Sequence, residues 1–161
     1  VNQFRQAFVM LGGLVAVAVA SFSIGIGVVA YRGHALDIES QQFVDSAVPA
    51  ISGKWSSAQL LARAAPELRA SVKPDQLKAL FDTVSTRLGP MQAYQGASGD
   101  ALMSYSSDGS SLVQAAYVAH AHFQVGDATF RISLVKRDGR WMIRAFHIDM
   151  APATQTQWRS A

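Results

Sequence analysis

The feature that most constrains this chain is an uncharged run near its start, Phe8 to Tyr31, FVMLGGLVAVAVASFSIGIGVVAY, 24 residues long. A helix rises about 1.5 Å per residue, so the run reaches about 36 Å, more than the roughly 30 Å of a hydrocarbon core. It reads as a single transmembrane helix. The competing reading is a cleaved secretory signal, with Ala18-Val19-Ala20 as a small-residue cleavage site. Such signals carry an apolar region of about 7–15 residues. Here the apolar run continues from Ser21 to Tyr31, which favours a retained anchor.

Flanking charges orient the anchor weakly, with Arg5 on one side and Arg32 on the other. The short leading segment, residues 1–7, points to a cytoplasmic amino terminus. The expected location is then a bacterial inner membrane with the remaining domain in the periplasm. Within the span, Gly12, Ala16 and Ala20 are spaced by four, as are Ser21 and Gly25. Small residues at that spacing let another helix approach closely, although glycine and alanine are also common in membrane helices generally.

After the anchor, residues 32–34 form a short linker, residues 35–150 a single domain, and residues 151–161 a polar tail. The chain of 161 residues has no cysteine, which excludes a disulfide framework and thiolate chemistry. The formal charge of +3 is not the dense basic footprint of a nucleic-acid binder. The expected partners are the bilayer and a membrane subunit or a second copy.

The domain changes period midway. Helical spacing predicts a helix over Ala35–Ile51, a second over Lys54–Ala65, a short turn PELRAS, and a third opened by Lys73-Pro74-Asp75 and stopped by Leu88-Gly89-Pro90. From Met91 the pattern alternates. Strands are expected over Met91–Tyr105 with a bend near Gly99, Leu112–Val125, Ala128–Arg137 and Arg140–Met150. Gly126-Asp127 and Asp138-Gly139 read as two-residue hairpin turns. The fold class is therefore α+β: three helices packed on a curved four-stranded antiparallel sheet, behind a transmembrane helix.

Those turns fix an expected register. Phe123 pairs with Phe130, Leu134 with Ile143, Ile132 with Ala145 and Phe130 with His147, all on an apolar face toward the helices. Gln114, His120, His122, Arg131, Ser133, Met142, Arg144 and Phe146 then share the opposite face. Of these, His120, His122, Arg131, Arg144 and Phe146 are candidate partner-binding residues.

The helix KPDQLKALFDTVSTRLGPM and the closing pattern ATFRISLVKRDGRWMIRAFHIDM resemble the nuclear transport factor two-like (cystatin-like cone) superfamily, and within it small membrane-anchored exported bacterial domains. The resemblance covers Leu36 to Met150. It implies a cone-shaped domain whose enzymatic members place acid–base residues inside. On the expected inner face, His147, Asp149 and Tyr117 are the catalytic candidates. A carboxylate beside a histidine would make a general base, but no third group or oxyanion donor accompanies them. His120 and His122 share a strand face, yet a cation beside Arg131 is disfavoured, so no metal and no cofactor is expected. The reading favoured is a non-catalytic interaction or accessory subunit. The alternatives are a small apolar ligand held in the cone, or a cone-pocket isomerase or dehydratase. An interior filled by Phe130, Trp141 and methionines would favour the first. A cavity lined by Tyr117, Ile132 and His147 would favour the others.

Overall fold

The computed structural model describes residues 29–31, 33–105 and 107–151. Helices come first and strands after. They are α1 His34–Ser52, α2 Ser57–Arg63, α3 Pro66–Ser71 and α4 Pro74–Leu88. A three-residue strand β1, Val29–Tyr31, precedes them, and β2 Met91–Tyr105, β3 Ser111–Phe123, β4 Gly126–Arg137 and β5 Arg140–Met150 follow. The sheet is antiparallel throughout, in the order β1-β2-β3-β4-β5. The PELRAS turn is a helix of its own, so four helices face the sheet rather than three.

Local chemistry explains the element ends. Proline opens both α3 and α4, where its missing amide costs nothing. Ser56 caps α2 by accepting from the Gln59 amide. Gly89, at φ +71 and ψ −165, ends α4 in a positive-φ conformation that glycine tolerates and donates to the Ser85 carbonyl. Pro49 sits inside α1, which nevertheless runs on to Ser52. Trp55 lies in the turn after α1 rather than in the second helix. Its φ of +48 is unusual for a bulky residue, and its indole stacks on Phe123 with centroids 5.4 Å apart.

The expected span over Phe8–Tyr31 lies outside the described residues except for its last three. Val29–Tyr31 are extended and pair with Met103–Tyr105. Among the described residues no helix is long and apolar enough to cross a membrane.

Two register differences matter. The β3–β4 turn falls at Gln124-Val125, so Phe123 faces Gly126 and Ala119 faces Phe130. The reason is tertiary: the Gln124 and Val125 amides donate to the Pro90 and Leu88 carbonyls at the end of α4. Each pairing moves by four residues, an even number, so the inward set stays inward. The second difference changes the faces. The Asp138-Gly139 turn and the Leu134–Ile143 pair stand as expected, but Ser133 then pairs with Ala145. Arg144 is an extra residue in β5, a bulge. Beyond it the alternation inverts: Phe146 faces Ile132, Ile148 faces Phe130, and His147 faces Arg131.

The core lies between the helices and one sheet face. Val44, Val48 and Ile51 of α1, Leu60 of α2, and Phe81 and Val84 of α4 meet Phe123, Phe130, Ile132, Ile143 and Phe146. The sheet's edges are covered as well as its face. Along β2, Asp37 accepts from the Ala101 amide (2.7 Å) and Gln41 donates to the Ala97 carbonyl (3.3 Å). Along β5, the Ala65 amide donates to the Ile143 carbonyl (2.8 Å). Polar edge groups satisfied in this way no longer offer a template for another strand.

Candidate functional site

The inner face carries one polar group deep in the sheet. Tyr117, 2 % exposed, places its hydroxyl 2.9 Å from the Ser40 hydroxyl and donates to the Asp37 carbonyl at 3.1 Å. Ser40 in turn donates to the Leu36 carbonyl at 2.6 Å. These bonds tie α1 to β3. Burial, followed by the nearby carboxylates, pushes the phenol of Tyr117 upward, so it is a neutral structural hydroxyl rather than a base. Tyr94 behaves alike: it donates to Asp45 at 2.7 Å, and burial followed by that carboxylate raises its phenol strongly.

His147 and Asp149 do not join Tyr117. The bulge at Arg144 turns both to the outer face, which corrects the expected constellation. Asp149 there takes Arg131 on both carboxylate oxygens, at 2.8 and 3.0 Å. Phe146 is corrected in the opposite sense. It is 2 % exposed and packs 5.6 Å from the Phe130 ring, so it is core and not a docking residue.

The other outward candidates lie where the alternation puts them, each with a partner. His120 Nδ1 is 3.1 Å from Thr129 Oγ1, and His122 Nδ1 is 2.6 Å from Asp127 Oδ1. Both partners are directly opposite in the β3–β4 ladder. Arg144 donates to Gln114 at 3.0 Å, reaching across β4 near Val135, which is 1 % exposed despite its outward parity. Among the described residues no three His, Asp or Glu side chains gather to hold a metal. The spaced small residues Gly12, Ala16, Ala20, Ser21 and Gly25 lie outside the described residues.

An open groove of about 500 Å³ runs between α1 and the start of β5, lined by Glu39, Gln42, Phe43, Ser46, Arg140 and Trp141. Lys136 pairs with Glu39 and lies 5.6 Å from the centroid of the Trp141 ring. The hydrogen bond from Lys136, then its charge, holds the Glu39 carboxyl below the usual range. The buried Trp141 Nε1 lies toward that carboxylate, with no partner in hydrogen-bonding geometry among the described residues. A carboxylate kept ionised by a lysine beside an aromatic wall suits contact better than proton transfer. Sequence reading missed this groove because its residues come from α1 and from the far hairpin, and no local motif joins them.

Compared with known proteins, the chain matches no protein-family model, no curated protein and no solved structure.

Proposed function

We propose that this chain is a non-catalytic single-pass membrane protein whose α+β domain serves as an interaction or accessory subunit of a membrane complex. The observation that carries this reading is the filled interior. Trp55, Phe81, Phe123, Phe130 and Phe146 meet ring to ring within 5.4–6.5 Å where a cone-pocket enzyme would keep its substrate. The candidate acid–base pair is turned to the other face of the sheet. Helices followed by a curved antiparallel sheet are compatible with the nuclear transport factor two-like likeness, and that superfamily includes plain assembly modules.

The anchor is part of the same reading. With Val29–Tyr31 in the sheet, the span is Phe8–Val28, 21 residues by position. That still reaches about 31 Å, enough for the hydrocarbon core. The orientation proposed is a cytoplasmic amino terminus and a periplasmic domain at a bacterial inner membrane. The test is purification of the full chain from its native membrane in mild detergent, with native sizing and mass spectrometry. Stoichiometric membrane subunits are expected, and a lone monomer overturns the reading.

A second reading rests on Trp55, whose buried Nε1–H has no partner among the described residues. A small, mostly apolar ligand with one acceptor atom would satisfy it. Native mass spectrometry of the same preparation, showing a retained small molecule, would shift the function toward ligand binding.

A further inference from the structure

The strands end together in a way that places the chain's exit. One row of paired residues crosses all five strands: Tyr31, Met103, Val113, Lys136 and Trp141. Beyond this row the described sheet continues as Ala30 beside Ser104 and Leu112, Val29 beside Tyr105 and Ser111, and the Arg137–Arg140 hairpin tip. Followed backward, β1 reaches its first described residue, Val29, at this same end. The uncharged segment Phe8–Val28 therefore joins the domain beside the β2–β3 and β4–β5 turns.

The exposed apolar side chains concentrate there too. Among the described residues five large apolar side chains are exposed: Ile38, Leu102, Tyr105, Leu112 and Val125. Tyr105 (49 %) and Leu112 (40 %) flank the β2–β3 turn. Leu102 lies diagonal to Leu112 on the outer face, because it pairs with Gln114. Ile38 sits beside Asp37, whose carboxylate reaches Ala101 on β2. Only Val125 is elsewhere, in the β3–β4 turn at the opposite end.

Charge among the described residues at this end is balanced. Lys136 pairs with Glu39 and Arg137 with Glu67, Asp108 lies in the β2–β3 turn, and Asp138 lies in the β4–β5 turn that Arg140 closes. A basic patch attracts anionic lipid roughly in proportion to its unpaired cations. Among the described residues this end has no such excess, but it has an aromatic and aliphatic rim of the kind that settles at headgroup depth.

The geometry points to this end of the sheet as a bilayer-docking surface, with Tyr105 and Leu112 entering the headgroup layer beside the anchor and Leu102 and Ile38 forming the shoulder behind them. The inference rests on the membrane-anchored reading above. The occupant is the lipid surface itself, held by apolar contact and indifferent to lipid charge. Docking fixes the domain's tilt, so the groove at Glu39 and Trp141, only a few residues in from the same end, meets a membrane partner at a fixed height.

The absence of cysteine allows a direct test on the full chain. Single-cysteine variants Leu112→Cys and Val125→Cys, each carrying a bimane label, are placed in phosphatidylcholine nanodiscs containing a headgroup-nitroxide lipid. The label at position 112 is expected to be quenched several-fold more than the label at 125, equally at about 50 mM and about 500 mM salt. Adding Tyr105→Ser and Leu102→Ser to Leu112→Cys should bring quenching down to the Val125→Cys level without changing the melting temperature. Equal quenching at both positions overturns the docking surface. So does quenching at 112 that survives the two serines, since a domain merely tethered nearby would behave that way. Quenching that requires phosphatidylglycerol and disappears in high salt overturns the apolar contact in favour of an electrostatic one. Release of the chain by an alkaline carbonate wash overturns the anchor, and docking with it. A chain that stays in the membrane but leaves position 112 unquenched overturns docking alone.

Discussion

On the helix-covered face of the sheet, Phe123, Phe130, Ile132, Ile143 and Phe146 close around Trp55 and Phe81. On the other face of the same strands, His120 meets Thr129, His122 meets Asp127, Arg131 meets Asp149 and Arg144 meets Gln114. The first face derives its stability from excluded water and close packing. The second carries cross-strand pairs in solvent, which contribute little individually. A cluster of histidine and arginine on a strand face resembles a site in sequence. In the fold these side chains already have partners, and a docking protein would have to displace them. Among the described residues, the large exposed apolar side chains lie instead mostly toward one end of the strands.

The contrast breaks most readily from the inside. Phe130→Ala should cost about 3–5 kcal/mol in denaturant unfolding, as for other buried aromatic truncations. A loss below about 1 kcal/mol would mean that the interior is not close-packed. Gly99→Ala should be of comparable severity, about 3 kcal/mol or somewhat less, by overpacking. A Cβ there would lie 2.0 Å from the Ala116 carbonyl oxygen, which belongs to the backbone of β3 and cannot swing away.

Smaller effects sharpen the comparison. Asp37→Ala removes the acceptor of the Ala101 amide and should cost about 1 kcal/mol, as should Tyr117→Phe. The tyrosines also set a pH dependence. The folded-state phenols of Tyr94 and Tyr117 lie above their unfolded value of about 10, so the native state holds these protons more tightly. Their contribution is fully present below pH about 10 and is lost as pH rises from there toward the folded values. The double variant Tyr94→Phe, Tyr117→Phe should flatten the alkaline fall in melting temperature. On the outer face, Arg131→Ala should change stability by less than about 1 kcal/mol. A larger loss would show that the outer lattice is structural.

The inversion along β5 has its own test. Cysteines replacing His147 and Asp149 should react with maleimide quickly in the native state. Cysteines replacing Phe146 and Ile148 should react about tenfold more slowly or less, because they wait for local opening. The reverse order would mean that the bulge at Arg144 is absent.

The helix stop at Leu88-Gly89-Pro90 and the Asp138-Gly139 hairpin were legible because each depends on a few adjacent residues. The inward set of β3 and β4 was legible too, since the turn moved by an even step. The interior assignment of His147 and Asp149 failed at one residue. Nothing in WMIRAFHIDM marks Arg144 as extra, because Ala145 and Phe146 could face either way by hydrophobicity. Trp55 was expected on a helix, and only packing against Phe123 and Phe81 explains its left-handed backbone.

Local chemistry in the chain thus determined most element types and their order, and the inward set of β3 and β4, because helix caps, turn residues and side-chain period act over a few residues. The tertiary structure decided where the β3–β4 turn sits, which side of β5 meets the core, and which exposed apolar residues gather at the end of the sheet where β1 begins. Those outcomes depend on hydrogen bonds and packing between segments tens of residues apart, such as Val125 on Leu88 and Ala65 on Ile143. A local sequence window carries no record of such contacts.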